Sequence, residues 1–157
     1  MTTIDLRMEL AHEIQNIPDS EQLLLRVINY VRGITKKSEA VTTLSGDALR
    51  LWNRVEELSS LKAGWDGAEA IPMNKKAVQN MKRVIKTGIS ADFKEWVVFP
   101  DDNGTFLMQS KDGSASISIG NNHYSFVYTT NGQVKSGEAV KFSPSSVLST
   151  IRDIARA

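Results

Sequence analysis

From Glu95 to Val140 apolar and polar residues alternate with a period of two, and turn signals cut the stretch into short segments. The segments are Trp96-Val97-Val98-Phe99, Thr105-Phe106-Leu107-Met108, Ala115 to Ile119, Tyr124 to Tyr128 and Gln133 to Val140. Between them stand Asp102-Asn103-Gly104, Asp112-Gly113, Gly120-Asn121-Asn122 and Asn131-Gly132, the wording of tight hairpin turns. Connections this short join strands that are neighbours, so the pattern predicts a five-stranded antiparallel meander. Ala115, Ile117 and Ile119 then share a face with Tyr124, Phe126 and Tyr128, while Ser116, Ser118, Ser125 and Thr129 point away. One apolar face requires a helical cover.

The flanking segments supply it. A helix after Ser45 carries Ala48, Leu51, Trp52, Val55 and Leu58 inward; a second is capped by Asn74, stapled by Met73 and Val78, and stopped at Gly88. Ser143 and Pro144 open a last helix, with Phe142 and Val147 as staple and Leu148, Ile151 and Ile154 inward. The predicted fold class is α+β, with helices on one face of the sheet.

Ahead of this domain, Thr3 caps a helix whose Leu6, Leu10, Ile14 and Ile17 form a stripe that ends before Pro18. Asp19 caps the next, with Gln22 at the reciprocal position and Leu23, Leu24, Val27, Ile28, Val31 and Ile34 along one face. The short join predicts an antiparallel helical hairpin over residues 1–36. Its apolar stripes need a cover, so Leu23, Leu24, Val27, Ile28 and Val31 are the expected partner-facing residues. Residues 37–44 are polar and aperiodic and read as a linker, which leaves 45–157 as the α+β domain.

A net charge of +1 over 157 residues implies neither wholesale nucleic-acid binding nor adhesion to a membrane. The chain has no cysteine, which removes disulfides, thiolate metal sites and cysteine nucleophiles and fits a reducing compartment. The N-terminus shows no basic region followed by an apolar run, and no apolar segment is long enough to span a bilayer. A cytoplasmic location is expected.

Catalytic chemistry is poorly supplied. The two histidines, His12 and His123, lie in segments of different character, and no HExxH, GxSxG, P-loop or GxGxxG motif occurs. Asp101 and Asp102 fall in a turn, where aspartate serves its own backbone. The remaining candidate is the loop Gly64-Trp65-Asp66-Gly67-Ala68-Glu69-Ala70-Ile71-Pro72, which no helix or strand pattern explains. Its glycines suit positive φ, and Asp66 can accept backbone N–H bonds, so scaffolding is preferred to a catalytic carboxylate, with Glu69 exposed. Lys75, Lys76, Lys82, Arg83 and Lys86 occupy one sector of the 74–87 helix as a candidate basic binding face. No base-reading side chains share that sector. No catalytic residue, metal or cofactor is expected.

Gly64-Trp65-Asp66-Gly67, Ala70 and Pro72, followed by a helix, Trp96 to Pro100 and Asp102-x-Gly104-Thr105, resemble a domain of uncharacterised bacterial proteins found in mobile or phage-derived DNA. That resemblance spans about residues 45–145 and implies a small sheet behind the loop, with no assigned activity. Residues 1–36 look like the helical N-termini of Bacteroidetes proteins encoded in toxin-antitoxin-like gene pairs, which implies a protein partner. The expected function is a non-enzymatic protein-binding module, antitoxin-like, acting with a partner or as a homodimer. The alternatives are a nucleic-acid-associating regulator using the basic face and an enzyme using Asp66.

Overall fold

The structure, a computed structural model, describes residues 2–17, 21–42 and 44–157. The chain divides into two units, Met1–Thr43 and Leu44–Ala157. In the first, α1 spans Thr3–Gln15 and α2 spans Glu21–Thr42. Thr2, not Thr3, is the N-cap of α1: its hydroxyl accepts from the Asp5 N–H, and the Asp5 carboxylate accepts from the Thr2 N–H. Only Thr2 has the three-residue spacing to an acidic partner that a reciprocal cap needs. The expected Asp19 cap lies outside the described residues. The helix α2 runs on through the stretch read as a linker, because residues 37–42 contain neither glycine nor proline and nothing there stops it.

The second unit is an α+β fold. Its sheet is a five-stranded antiparallel meander: β1 (Trp96–Pro100), β2 (Phe106–Ser110), β3 (Ala115–Ile119), β4 (His123–Thr130) and β5 (Gln133–Lys141), in that spatial order. Three helices, α3 (Gly46–Leu58), α4 (Lys75–Thr87) and α5 (Pro144–Arg156), and a 3-10 turn at Ser90–Phe93 complete it. The pairs Val98↔Met108, Met108↔Ile117 and Ile119↔Tyr124 put the apolar half of each strand on one face. Phe106, Met108, Ile117 and Ile119 are fully buried there, as are Leu51, Val55, Met81, Val84 and Ile85 of α3 and α4. Burying each such side chain contributes about 1.5–3 kcal/mol, which makes this face the main stabilising element of the unit. The opposite face carries Ser116, Ser118, Ser125 and Ser136 around an open hollow of about 400 Å³.

Asn74 stands at the N-cap of α4 as expected, and two helix starts lack a local side-chain cap. Ser45 and Asn74 occupy N-cap positions, but neither side chain makes a capping bond. At α3 the role passes to Ser90 of the 3-10 turn, whose Oγ accepts from the Ala48 N–H and donates to the Ser45 carbonyl. At α4 the Asn74 side chain is turned toward Gly104, whose φ of +84° brings its carbonyl 2.8 Å from the Asn74 N–H. Tertiary neighbours satisfy these ends in place of local caps. The last helix starts as expected, with Ser143 and Ser146 in reciprocal capping contact and Pro144 in the first turn.

Candidate functional site

The Trp65 loop is held by its own backbone. The Gly64 N–H donates to the Ala70 carbonyl at 2.7 Å and the Ala70 N–H to the Gly67 carbonyl at 3.1 Å, with φ of +82° at Gly64 and +110° at Gly67. The half-buried Trp65 donates its indole N–H to the Ile71 carbonyl at 2.9 Å. Buried Ala70 and Met73 anchor the segment, and the Ile71 N–H reaches the Asp102 carbonyl at 3.0 Å, tying the loop to the β1–β2 turn. Asp66, Gly67, Glu69 and Pro72 are exposed. The backbone bonds expected at the Asp66 carboxylate are absent among the described contacts; main-chain bonds and the Trp65 indole close the loop instead. In the neighbouring turn, burial and the adjacent Asp102 carboxyl raise the Asp101 carboxyl above its usual range.

The basic sector of α4 is divided by its neighbours. Lys82 pairs with Glu56, and both Lys82 and Lys86 lie over the ring of buried Trp52, at 5.0 and 5.3 Å from its centroid. These charges serve the α3–α4 contact. Lys75 is exposed. Lys76 and Arg83 face the other way, toward the β3–β4 turn and the end of β5. The Lys76 ammonium donates to Asn122 Oδ1 at 2.6 Å, and the Arg83 guanidinium lies 5.9 Å from the Phe142 ring centroid.

Asn80 organises that side. It is 2 % exposed, and its amide nitrogen donates to the carbonyls of Gly120 and Asn121, each at 2.8 Å. The Phe142 N–H donates to the Asn122 carbonyl at 2.9 Å, so α4 and the end of β5 grip the same turn from two sides. Between them is a cleft of about 390 Å³ lined by the cations Lys76, Arg83 and Lys141 and by His123, with no carboxylate among the lining residues. Lys141 reaches it through an irregularity in the β4–β5 pairing. Phe126 pairs with Gly137, a register that, continued evenly, would set His123 against Val140, yet His123 pairs with Lys141. Ala139, at φ +48°, absorbs the extra residue and donates its N–H to Ser125 Oγ. A polar residue on the apolar side of α4, amid Ala77, Met81 and Val84, was the available sequence signal for Asn80.

In the first unit, no described residue of α1 is buried. Ile4 is 69 % exposed and Leu10 56 %, and in α2 Leu23, Ile28 and Val31 are exposed while Leu24 and Val27 are half-buried. His12 is exposed on α1, remote in sequence from the cleft that holds His123. Among the described residues no group of three or more metal-ligating side chains assembles, and no helix is long and apolar enough to cross a membrane. No protein-family model matches the chain, and neither a curated protein nor a solved structure matches it.

Proposed function

We propose that this chain is a non-enzymatic protein-binding module, the antitoxin-like member of a two-gene pair, in which α1 and α2 supply the interface to the partner protein. The observation that carries this reading is the exposure of apolar side chains on the stripes of both helices, Leu6, Leu10 and Ile14 in α1 and Ile28 in α2. Helices of 13 and 22 residues draw most of their stability from burying such a stripe. Charged residues of both signs flank the stripes, the composition of a rim around an apolar contact.

The test is coexpression of the full chain with the product of the adjacent gene, followed by purification and mass measurement by light scattering. A stoichiometric heterocomplex that is lost in Leu10→Glu combined with Ile28→Glu supports the reading. A chain that forms only a homodimer, or stays monomeric beside its neighbour, refutes it. The reading through Asp66 is tested in the same system. An Asp66→Asn variant that folds normally and keeps the biological effect of the parent chain argues against a working role for that carboxylate.

A further inference from the structure

We propose that the cleft between α4 and the β3–β4 turn binds an organic phosphate, a phosphate monoester of about nucleotide size, with Arg83 and Lys141 as its principal anion ligands. This goes beyond the protein-binding reading and does not depend on it, since every lining residue belongs to the second unit.

Charge comes first. Lys76, Arg83 and Lys141 come from two separate elements, and His123 adds an imidazole donor, with no acidic side chain lining the cleft to neutralise them. Cations gathered in a concave site within about 10 Å of one another add their fields before salt can screen them, and the low-dielectric walls focus the result. Lys82 and Lys86 of the same helix are already engaged with Glu56 and Trp52, whereas among the described residues no carboxylate partners Arg83 or Lys141. An arginine fork without a carboxylate is shaped for two oxygens of one phosphate.

The scaffold is also fixed in advance. Asn80 locks the turn carbonyls at Gly120 and Asn121, and the Asn122 amide oxygen holds the Lys76 ammonium, so the turn and one of the cations are positioned before a ligand arrives. Preorganisation of this kind lowers the ordering cost of binding. Size then selects the ligand class. About 390 Å³ exceeds what a bare phosphate fills and lies within the range of small-molecule clefts, roughly 300–1,000 Å³. The Phe142 ring supplies an apolar wall for the carbon skeleton. An extended polyanion fits less well, because the charges that would prolong the track along α4 are diverted to α3.

The experiment is amide NMR on the full chain titrated separately with adenosine 5′-monophosphate, ribose 5-phosphate, inorganic phosphate and adenosine. Binding of either monoester, with saturable shifts confined to Lys76, Asn80, Arg83, the 120–123 turn and the Lys141–Phe142 end of β5, is the expected result. Arg83→Gln and Lys141→Gln should each weaken it about tenfold or more, the effect of removing one charge-assisted hydrogen bond. Lys111→Gln, outside the cleft in the β2–β3 turn, should leave it unchanged. Both cleft side chains are exposed, so unchanged melting of the variants separates lost binding from lost folding. The proposal is overturned if neither monoester shifts these residues, if adenosine alone does so equally, or if inorganic phosphate is the only ligand. It is likewise overturned if an oligodeoxythymidine binds while both monoesters fail.

Discussion

Replacing Gly88 with alanine tests how closely the end of α4 is fitted to its neighbours. A methyl group built on that backbone would sit 2.6 Å from Phe93 Cζ and 2.8 Å from Leu148 Cδ2, well inside the roughly 3.5–4.0 Å of an ordinary carbon contact. Phe93 is fully enclosed and Leu148 is 2 % exposed, so neither side chain has solvent to move into. Backbone strain does not enter, because φ is −77°, a value any residue adopts. Overpacking of a filled core costs roughly 1–3 kcal/mol, and the reduced freedom of alanine in the unfolded chain offsets about 0.4–1 kcal/mol of that. With two enclosed neighbours the balance should be a loss of about 1–2 kcal/mol, or a melting temperature lower by about 3–8 °C. Gly137 is the comparison. A Cβ there would lie 2.5 Å from Phe126 Cε1, but that ring is only half-buried and can turn aside. Gly137→Ala should therefore cost less than about 1 kcal/mol. Denaturant unfolding followed by tryptophan fluorescence measures both, and Phe93→Leu added to Gly88→Ala should recover part of the loss, a coupling above about 0.5 kcal/mol. Equal stability of Gly88→Ala and the parent chain, or equal losses for the two glycines, would refute this account of packing.

Three further outcomes follow from the same geometry. Hydrogen bonds from Arg152 hold the Asp92 carboxyl below its usual range, against an opposing effect of burial and with help from the Ile89 N–H. A depressed value stabilises the fold above the unfolded carboxyl pKa of about 3.9, and that contribution is lost as pH falls through the folded value. Arg152→Gln should therefore raise the Asp92 titration seen by carboxyl carbon NMR and move the onset of acid unfolding upward; an unmoved titration rejects the link. Asp112, which accepts from the Ser114 N–H and the Ser110 and Ser114 hydroxyls, should titrate at about 2, and Asp101 should titrate at a higher pH than both Asp92 and Asp112; an Asp101 titration below either contradicts the assigned contacts. In the signature loop, Trp65→Phe removes the bond to the Ile71 carbonyl and should cost about 0.5–1.5 kcal/mol, while Asp66→Asn should stay within about 0.5 kcal/mol of the parent. A large loss for Asp66→Asn, measured by the same unfolding assay, would show that its carboxylate holds the loop after all.

Much of the fold was legible residue by residue. Asn131-Gly132 announces a two-residue turn with both φ positive, and the structure has +50° and +73° there. The strand alternation likewise identified the inward face that carries Ile117 and Ile119. Helix caps were less legible. Asn74 looks like a cap because such residues usually bond their own helix, yet Gly104 of the β1–β2 turn meets that end, and Ser90 meets the start of α3, both from far along the chain. The division of the α4 charges was not legible at all. A helical wheel places Lys76 and Lys82 in one sector, but Trp52 and Glu56 lie to one side and Asn122 to the other.

The sequence alone therefore determined the five strands and the three helices of the second unit, their order, the turns between strands and the face each turns inward, since periodicity and turn chemistry act over a few neighbouring residues; it did not foresee the run of α2 to Thr42 or the 3-10 turn at Ser90–Phe93. Tertiary structure decided what the polar groups do. Asn80 became a buried clamp, and one extra residue near Ala139 carried Lys141 to His123 and so completed a cationic cleft. The physical reason is range: backbone and charged groups must find partners or water wherever the folded chain supplies them, and those partners are distant in sequence.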